Sequence, residues 1–67
     1  MQWEIVATDA ATGAEQWRAT PEAVLEANRD DDLIRAGVAA LEVNATVMFF
    51  VPTHTGALYL ERVEVQP

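Results

Sequence analysis

Apolar positions crowd into the last third of the chain. Thr46-Val47-Met48-Phe49-Phe50-Val51 and Ala57-Leu58-Tyr59-Leu60-Glu61-Arg62-Val63 are β-rich runs separated by Pro52-Thr53-His54-Thr55-Gly56. Two such runs around a short loop that contains glycine predict a hairpin. Successive strand residues point to opposite faces. Val47, Phe49 and Val51 are expected on one side, Met48 and Phe50 on the other. On the returning strand Tyr59 and Val63 face one way, and Leu58 and Leu60 the opposite way. The apolar sets then read as Val47, Phe49, Val51, Tyr59 and Val63 against Met48, Phe50, Leu58 and Leu60. A hairpin apolar on both faces needs a cover on both, which a chain of 67 residues can hardly supply.

The N-terminal pattern predicts a second hairpin. Trp3 to Thr8 and Ala14 to Ala19 flank Asp9-Ala10-Ala11-Thr12-Gly13, and Gly13 suits the left-handed position that closes a three-residue loop with a bulge. That loop sets Ala10 opposite Ala14, Ala7 opposite Trp17 and Ile5 opposite Ala19. Trp3, Ile5, Ala7, Trp17 and Ala19 then share a face. A four-residue loop would set Ile5 against Arg18 and mix the faces, because a one-residue slip turns a strand over.

Between the hairpins the apolar period lengthens. Thr20-Pro21-Glu22 starts a helix, with Thr as N-cap, Pro at the first helical position and an acid in the first turn. That helix runs to about Asn28 or Arg29. Asp30-Asp31-Asp32 interrupts the pattern, and one of these residues caps a second helix from about Asp32 to Leu41. Its Ile34, Val38 and Leu41 follow i, i+4, i+7 spacing. A single bent helix is the competing reading. Gly37 costs ~1 kcal/mol in a helix relative to Ala, which implies close backbone packing. Asn44 is expected to turn the chain, in a conformation where Gly would also fit. The order is ββααββ: an α+β domain spanning residues 1–67, with a four-stranded antiparallel sheet and one or two short helices on one face.

Composition narrows the function. A domain of this size buries only roughly 60% of its unfolded surface, and without Cys no disulfide or thiolate site supports it. No apolar run reaches the ~20 residues of a membrane span and no signal-peptide pattern opens the chain, so the expected location is cytoplasmic. Eleven acidic residues face four basic ones, all Arg, for a net charge of −7. Phosphate affinity comes mainly from Lys and Arg, so neither direct nucleic-acid binding nor an anionic membrane is expected. A basic partner protein remains.

Catalytic inventory is thin. His54 is the only His, and Cys and Ser are both absent. A catalytic zinc site wants three protein ligands, and nucleophilic arrangements of Ser or Cys with His cannot be assembled. No catalytic residues, metal or cofactor are expected. Asp31-Asp32-Leu33 resembles the prosthetic-group motif of acyl carriers, but the serine that would bear the group is missing.

Glu22, Glu26 and Asp30 stand at i, i+4, i+8, which would align them on one helix face about 6 Å apart. Like charges so placed cost a few tenths of a kcal/mol per pair. That spacing could imitate phosphates along a nucleic-acid strand. A solvated helix face is the plainer explanation. The leading expectation is a small acidic, non-enzymatic binding protein of the phage or mobile-element inhibitor type. Its Glu22, Glu26, Asp30, Asp31 and Asp32 would occupy the basic surface of a nucleic-acid-binding protein. The alternative is a structural or assembly subunit that forms homodimers through Val47, Phe49, Val51, Tyr59 and Val63.

Overall fold

A computed structural model describes residues 2–65. Strands β1 (Gln2–Asp9) and β2 (Glu15–Ala19) are followed by helices α1 (Pro21–Ala27) and α2 (Asp32–Val43), then by β3 (Met48–Thr53) and β4 (Gly56–Val65). The sheet is antiparallel throughout, in the order β2-β1-β4-β3. The two longest strands, β1 and β4, pair from Gln2↔Val65 to Asp9↔Leu58 and occupy the centre. The fold is α+β in the ββααββ order.

The first hairpin keeps the register read from its apolar pattern, with Ile5 opposite Ala19 and Ala7 opposite Trp17. Its loop, however, has four residues. Asp9 N–H donates to the Ala14 carbonyl at 2.8 Å, and the Gly13 N–H closes back on the Asp9 carbonyl at 2.8 Å. Ala10 therefore does not face Ala14; its N–H donates to Ala57 of the neighbouring strand. Register shifts between Ala7 and Thr8, and Thr8 faces Glu15, which leaves Gln16 as the extra residue of a bulge. The bulge cancels the slip that a four-residue loop would otherwise impose. Gly13 supplies the left-handed conformation, at φ 76°, and the Asp9 carboxylate accepts from the Ala11 and Thr12 N–H groups.

Two separate helices form. Thr20 Oγ1 accepts from the Ala23 N–H at 3.2 Å, with Pro21 at the first position. At the other end Asn28 donates through its side chain to the Val24 carbonyl at 2.8 Å, so α1 stops before Arg29. Asp31 Oδ1 accepts from the Leu33 and Ile34 N–H groups, both at 3.1 Å, and starts α2. Asn44 ends α2 with φ −138°, an extended conformation and not the left-handed one expected for it. Its side chain instead accepts from the Thr46 N–H and hydroxyl and turns the chain toward β3.

The core lies between the helices and one face of the sheet. Ile34, Val38 and Leu41 from α2 and Val24 from α1 pack on Ile5, Ala7, Val51 and Leu60. Trp3, Trp17, Ala19, Val47, Phe49 and Leu58 border this cluster. No polar or charged residue is buried among the described residues, so packing alone makes the core.

Candidate interaction surfaces

The second hairpin turns on two residues, His54 and Thr55, between paired Thr53 and Gly56. That turn sets Phe49 opposite Leu60 and Phe50 opposite Tyr59. Odd positions of β3 therefore share a face with even positions of β4. The self-association set inferred from sequence is divided accordingly. Val51 is buried in the core and Val47 and Phe49 pack against it, under the helices. Tyr59 and Val63 lie on the other face of the sheet, beside Met48 and Phe50. A one-residue difference in register produces this exchange.

Among the described residues no helix covers that other face. Cross-strand pairing lays it out in rows. Met48, Glu61, Val6 and Arg18 form one row, and Phe50, Tyr59 and Thr8 the next. Met48 and Phe50 remain 54% and 50% exposed, although they sit in the middle of an apolar run. The Phe50 and Tyr59 rings meet edge to face with centroids 5.5 Å apart, an arrangement aromatic pairs favour. The β1–β2 half of the face is polar: Arg18 lies 3.8 Å from Glu4 and 3.5 Å from Glu15. Glu61 is half-buried and has no ion pair among the described residues.

Both sheet edges are blunted. β3 carries Pro52, which has no N–H to donate, and β2 carries the bulge at Gln16. Such features discourage strand addition at an edge. The open face, not an edge, carries the exposed Met48 and Phe50.

The carboxylates inferred from sequence as a contact site occupy the opposite layer, whereas Glu4, Glu15 and Glu61 lie on the open face. Glu22 and Glu26 lie on α1, while Asp30 falls in the turn after it, so α1 ends before the third member of the predicted ladder. The regular helical spacing of three carboxylates is not formed. Glu22, Glu26, Asp30, Asp31 and Asp32 are all exposed; the last four lie around the α1–α2 junction, whereas Glu22 sits in the first turn of α1. Arg29 pairs with Glu26, and Arg35 reaches the Arg29 carbonyl at 3.5 Å. Glu22, Leu25, Glu26, Arg29 and Arg35 line one shallow depression, so cations interleave with the acids.

Asp31 also has a structural duty. Asp31→Ala is expected to lower stability by about 1 kcal/mol, the usual cost of losing a helix N-cap, whereas Asp31→Asn should retain most of it. Urea titration of the two variants separates capping from charge; equal losses would show that the carboxylate charge, not the acceptor, matters.

Other candidates are small. Ala23 and Ala27 of α1 stand over Trp17, and their short side chains leave a groove of about 320 Å³ that Ile34 and Leu58 also line. His54 is exposed in its turn. Among the described residues no group of three or more His, Cys, Asp or Glu is placed to hold a metal ion. No described helix is long and apolar enough to cross a membrane. No family model, curated protein or solved structure matches the chain.

Sequence reasoning omitted Met48, Phe50 and Glu61 from its site residues. The available signal was the length of the β3–β4 turn. A loop read as Pro52 to Gly56 hides the fact that Pro52, Thr53 and Gly56 belong to the strands.

Proposed function

We propose that this chain is a small non-enzymatic binding protein that engages a protein partner through the uncovered face of its sheet. The observation that supports this reading is the exposure of Met48 and Phe50, with Tyr59 beside them, on a face that no element among the described residues covers. Contiguous exposed apolar side chains mark contact surfaces, and aromatic residues and Met are enriched at the centres of interfaces. A photo-reactive phenylalanine analogue at position 50 tests it in cells that express the chain. Cross-linking to a defined protein is expected from position 50 and not from position 42 on α2. Adducts from position 42 only, or from neither position, would contradict the reading.

A second reading is favoured by the gathering of four exposed carboxylates at the α1–α2 junction, with Glu22 at the start of α1. Here Glu22, Glu26, Asp30, Asp31 and Asp32 occupy a basic site, such as the nucleic-acid-binding surface of a partner protein. The interleaved Arg29 and Arg35 and the displacement of Asp30 from α1 weaken the likeness to a phosphate ladder. Under this reading cross-links arise at position 26 and the complex weakens steeply with salt.

A further inference from the structure

We infer that the open face binds a basic amphipathic helix of another protein, with apolar side chains on Met48, Phe50 and Tyr59 and a Lys or Arg set against Glu61. This rests on the reading of the open face as the contact surface and names the chemistry of the partner.

Glu61 decides that chemistry. On the open face its neighbours are apolar or aromatic: Met48 and Val6 beside it in the cross-strand row, Tyr59 and Val63 on either side along β4. It is half-buried, and no cation among the described residues pairs with it. Arg18 lies in the same row but two strands away, roughly 10 Å, and its guanidinium is drawn to Glu4 and Glu15. A partner that covers Met48 also covers Glu61, because paired side chains stand only about 5 Å apart. Sealing an unpaired carboxylate under apolar atoms is strongly unfavourable, which disfavours a wholly apolar partner. A Lys or Arg meets both demands, with its methylene stem on the apolar neighbours and its charge at the carboxylate.

The rest of the face carries charge of the same sign. Glu4 and Glu15 share Arg18, so three carboxylates face one guanidinium and negative charge is left over. An apolar strip with an acidic flank is complementary to a helix whose apolar stripe is bordered by Lys or Arg. A second copy of this chain fails that requirement, since it brings the same carboxylates to the same patch.

Shape favours a helix over a strand. Pro52 and the bulge at Gln16 blunt both edges against an added strand, whereas a helix on the face needs no backbone partner. The strip formed by β3 and β4 is about 10 Å wide, which is the width of one helix. Such a helix also gives the sheet the layer it lacks on this side. The area it buries is below that of a stable dimer, as in weak and reversible contacts.

Two synthetic helical peptides of about 14 residues, four turns long, test the inference by titration into the isotope-labelled chain. One carries a leucine stripe bordered by lysines, and the other has Glu in place of every Lys. The lysine peptide should shift the amide signals of Met48, Phe50, Tyr59 and Glu61, and the glutamate peptide should shift none of them. Glu61→Gln should weaken the lysine peptide about tenfold, between the effects of an exposed and a fully buried pair. Glu26→Gln, on the helix layer, should weaken it less than about twofold. Glu61 has no ion pair within the described fold, so its variant should keep the wild-type circular dichroism. Salt loosens a complex at either acidic surface, so the position of the shifts decides. Lysine-peptide shifts confined to Asp30, Asp31 and Asp32, equal binding of the two peptides, or unchanged affinity of Glu61→Gln would each overturn the inference. The cross-linker at position 50 separates that failure from failure of the face itself. If it captures a protein in cells and Glu61→Lys leaves the yield unchanged, or if it captures a second copy, the face stands and only the basic helix is wrong. If it captures nothing, both fall.

Discussion

Gly37→Val is expected to cost on the order of 3 kcal/mol, enough to leave much of this chain unfolded, since small domains rarely exceed ~3–5 kcal/mol in all. A Cβ at position 37 would lie 2.7 Å from Phe49 Cδ2 and 3.1 Å from Leu60 Cδ1. Leu60 is fully buried and the Phe49 ring packs against the core, so neither can withdraw without separating α2 from the sheet. Gly37→Ala separates the two opposing effects. Alanine gains about 1 kcal/mol of helix propensity, yet brings the same Cβ into the contact. It should still leave the chain less stable than wild type by up to about 2 kcal/mol. Urea denaturation provides the test. A Gly37→Ala variant more stable than wild type would show that the helix–sheet approach has slack.

Arg62→Ala should remove about 2 kcal/mol, the usual scale for hydrogen bonds to a charged group. From β4, Arg62 Nη1 donates to the Leu41 carbonyl at 3.1 Å in the last turns of α2, which has no basic residue of its own there. Its guanidinium also sits 4.4 Å from the Trp3 ring centroid, a contact worth roughly 0.5–1 kcal/mol at a partly exposed site. The third partner, Glu64 at 3.1 Å, adds little because it is exposed. One side chain thus ties the C-terminal end of α2 to the two central strands. Arg62→Lys keeps the charge but not the planar fork, and should recover about half the loss. Thermal melts followed by near-ultraviolet circular dichroism of the tryptophans check the order wild type, Lys, Ala; an alanine variant as stable as wild type would refute the tie.

Local chemistry made much of this fold legible from residues. Thr20-Pro21-Glu22 sets the start of α1 and the aspartate run sets the start of α2, because caps and breakers act within a few residues. Ile34, Val38 and Leu41 give the buried stripe, and Gly37 its close approach. The strand register was harder to read. At Gln16 a bulge offset a longer loop, so the faces of the first hairpin came out as the alternation implied, by a different route. In the second hairpin no bulge intervenes, and a two-residue turn exchanged the faces. Turn length is decided by pairing across the sheet, which the chain does not display to a linear reading. The same holds for the acidic ladder. Its spacing is regular in sequence, but Asn28 hydrogen-bonds the end of α1 and carries Asp30 off the helix.

The apolar excess of the second hairpin is thereby divided. Phe49, Val51, Leu58 and Leu60 serve the fold, whereas Met48 and Phe50 stay exposed with Tyr59 beside them on the open face. Chemical-shift mapping of the labelled chain against the protein captured at position 50 examines that division most directly. Shifts and line broadening should concentrate at Met48, Phe50 and Tyr59, and should be missing at Leu25 and Leu33 on the helices. Their absence from the open face, or their confinement to the helix layer, would contradict the account.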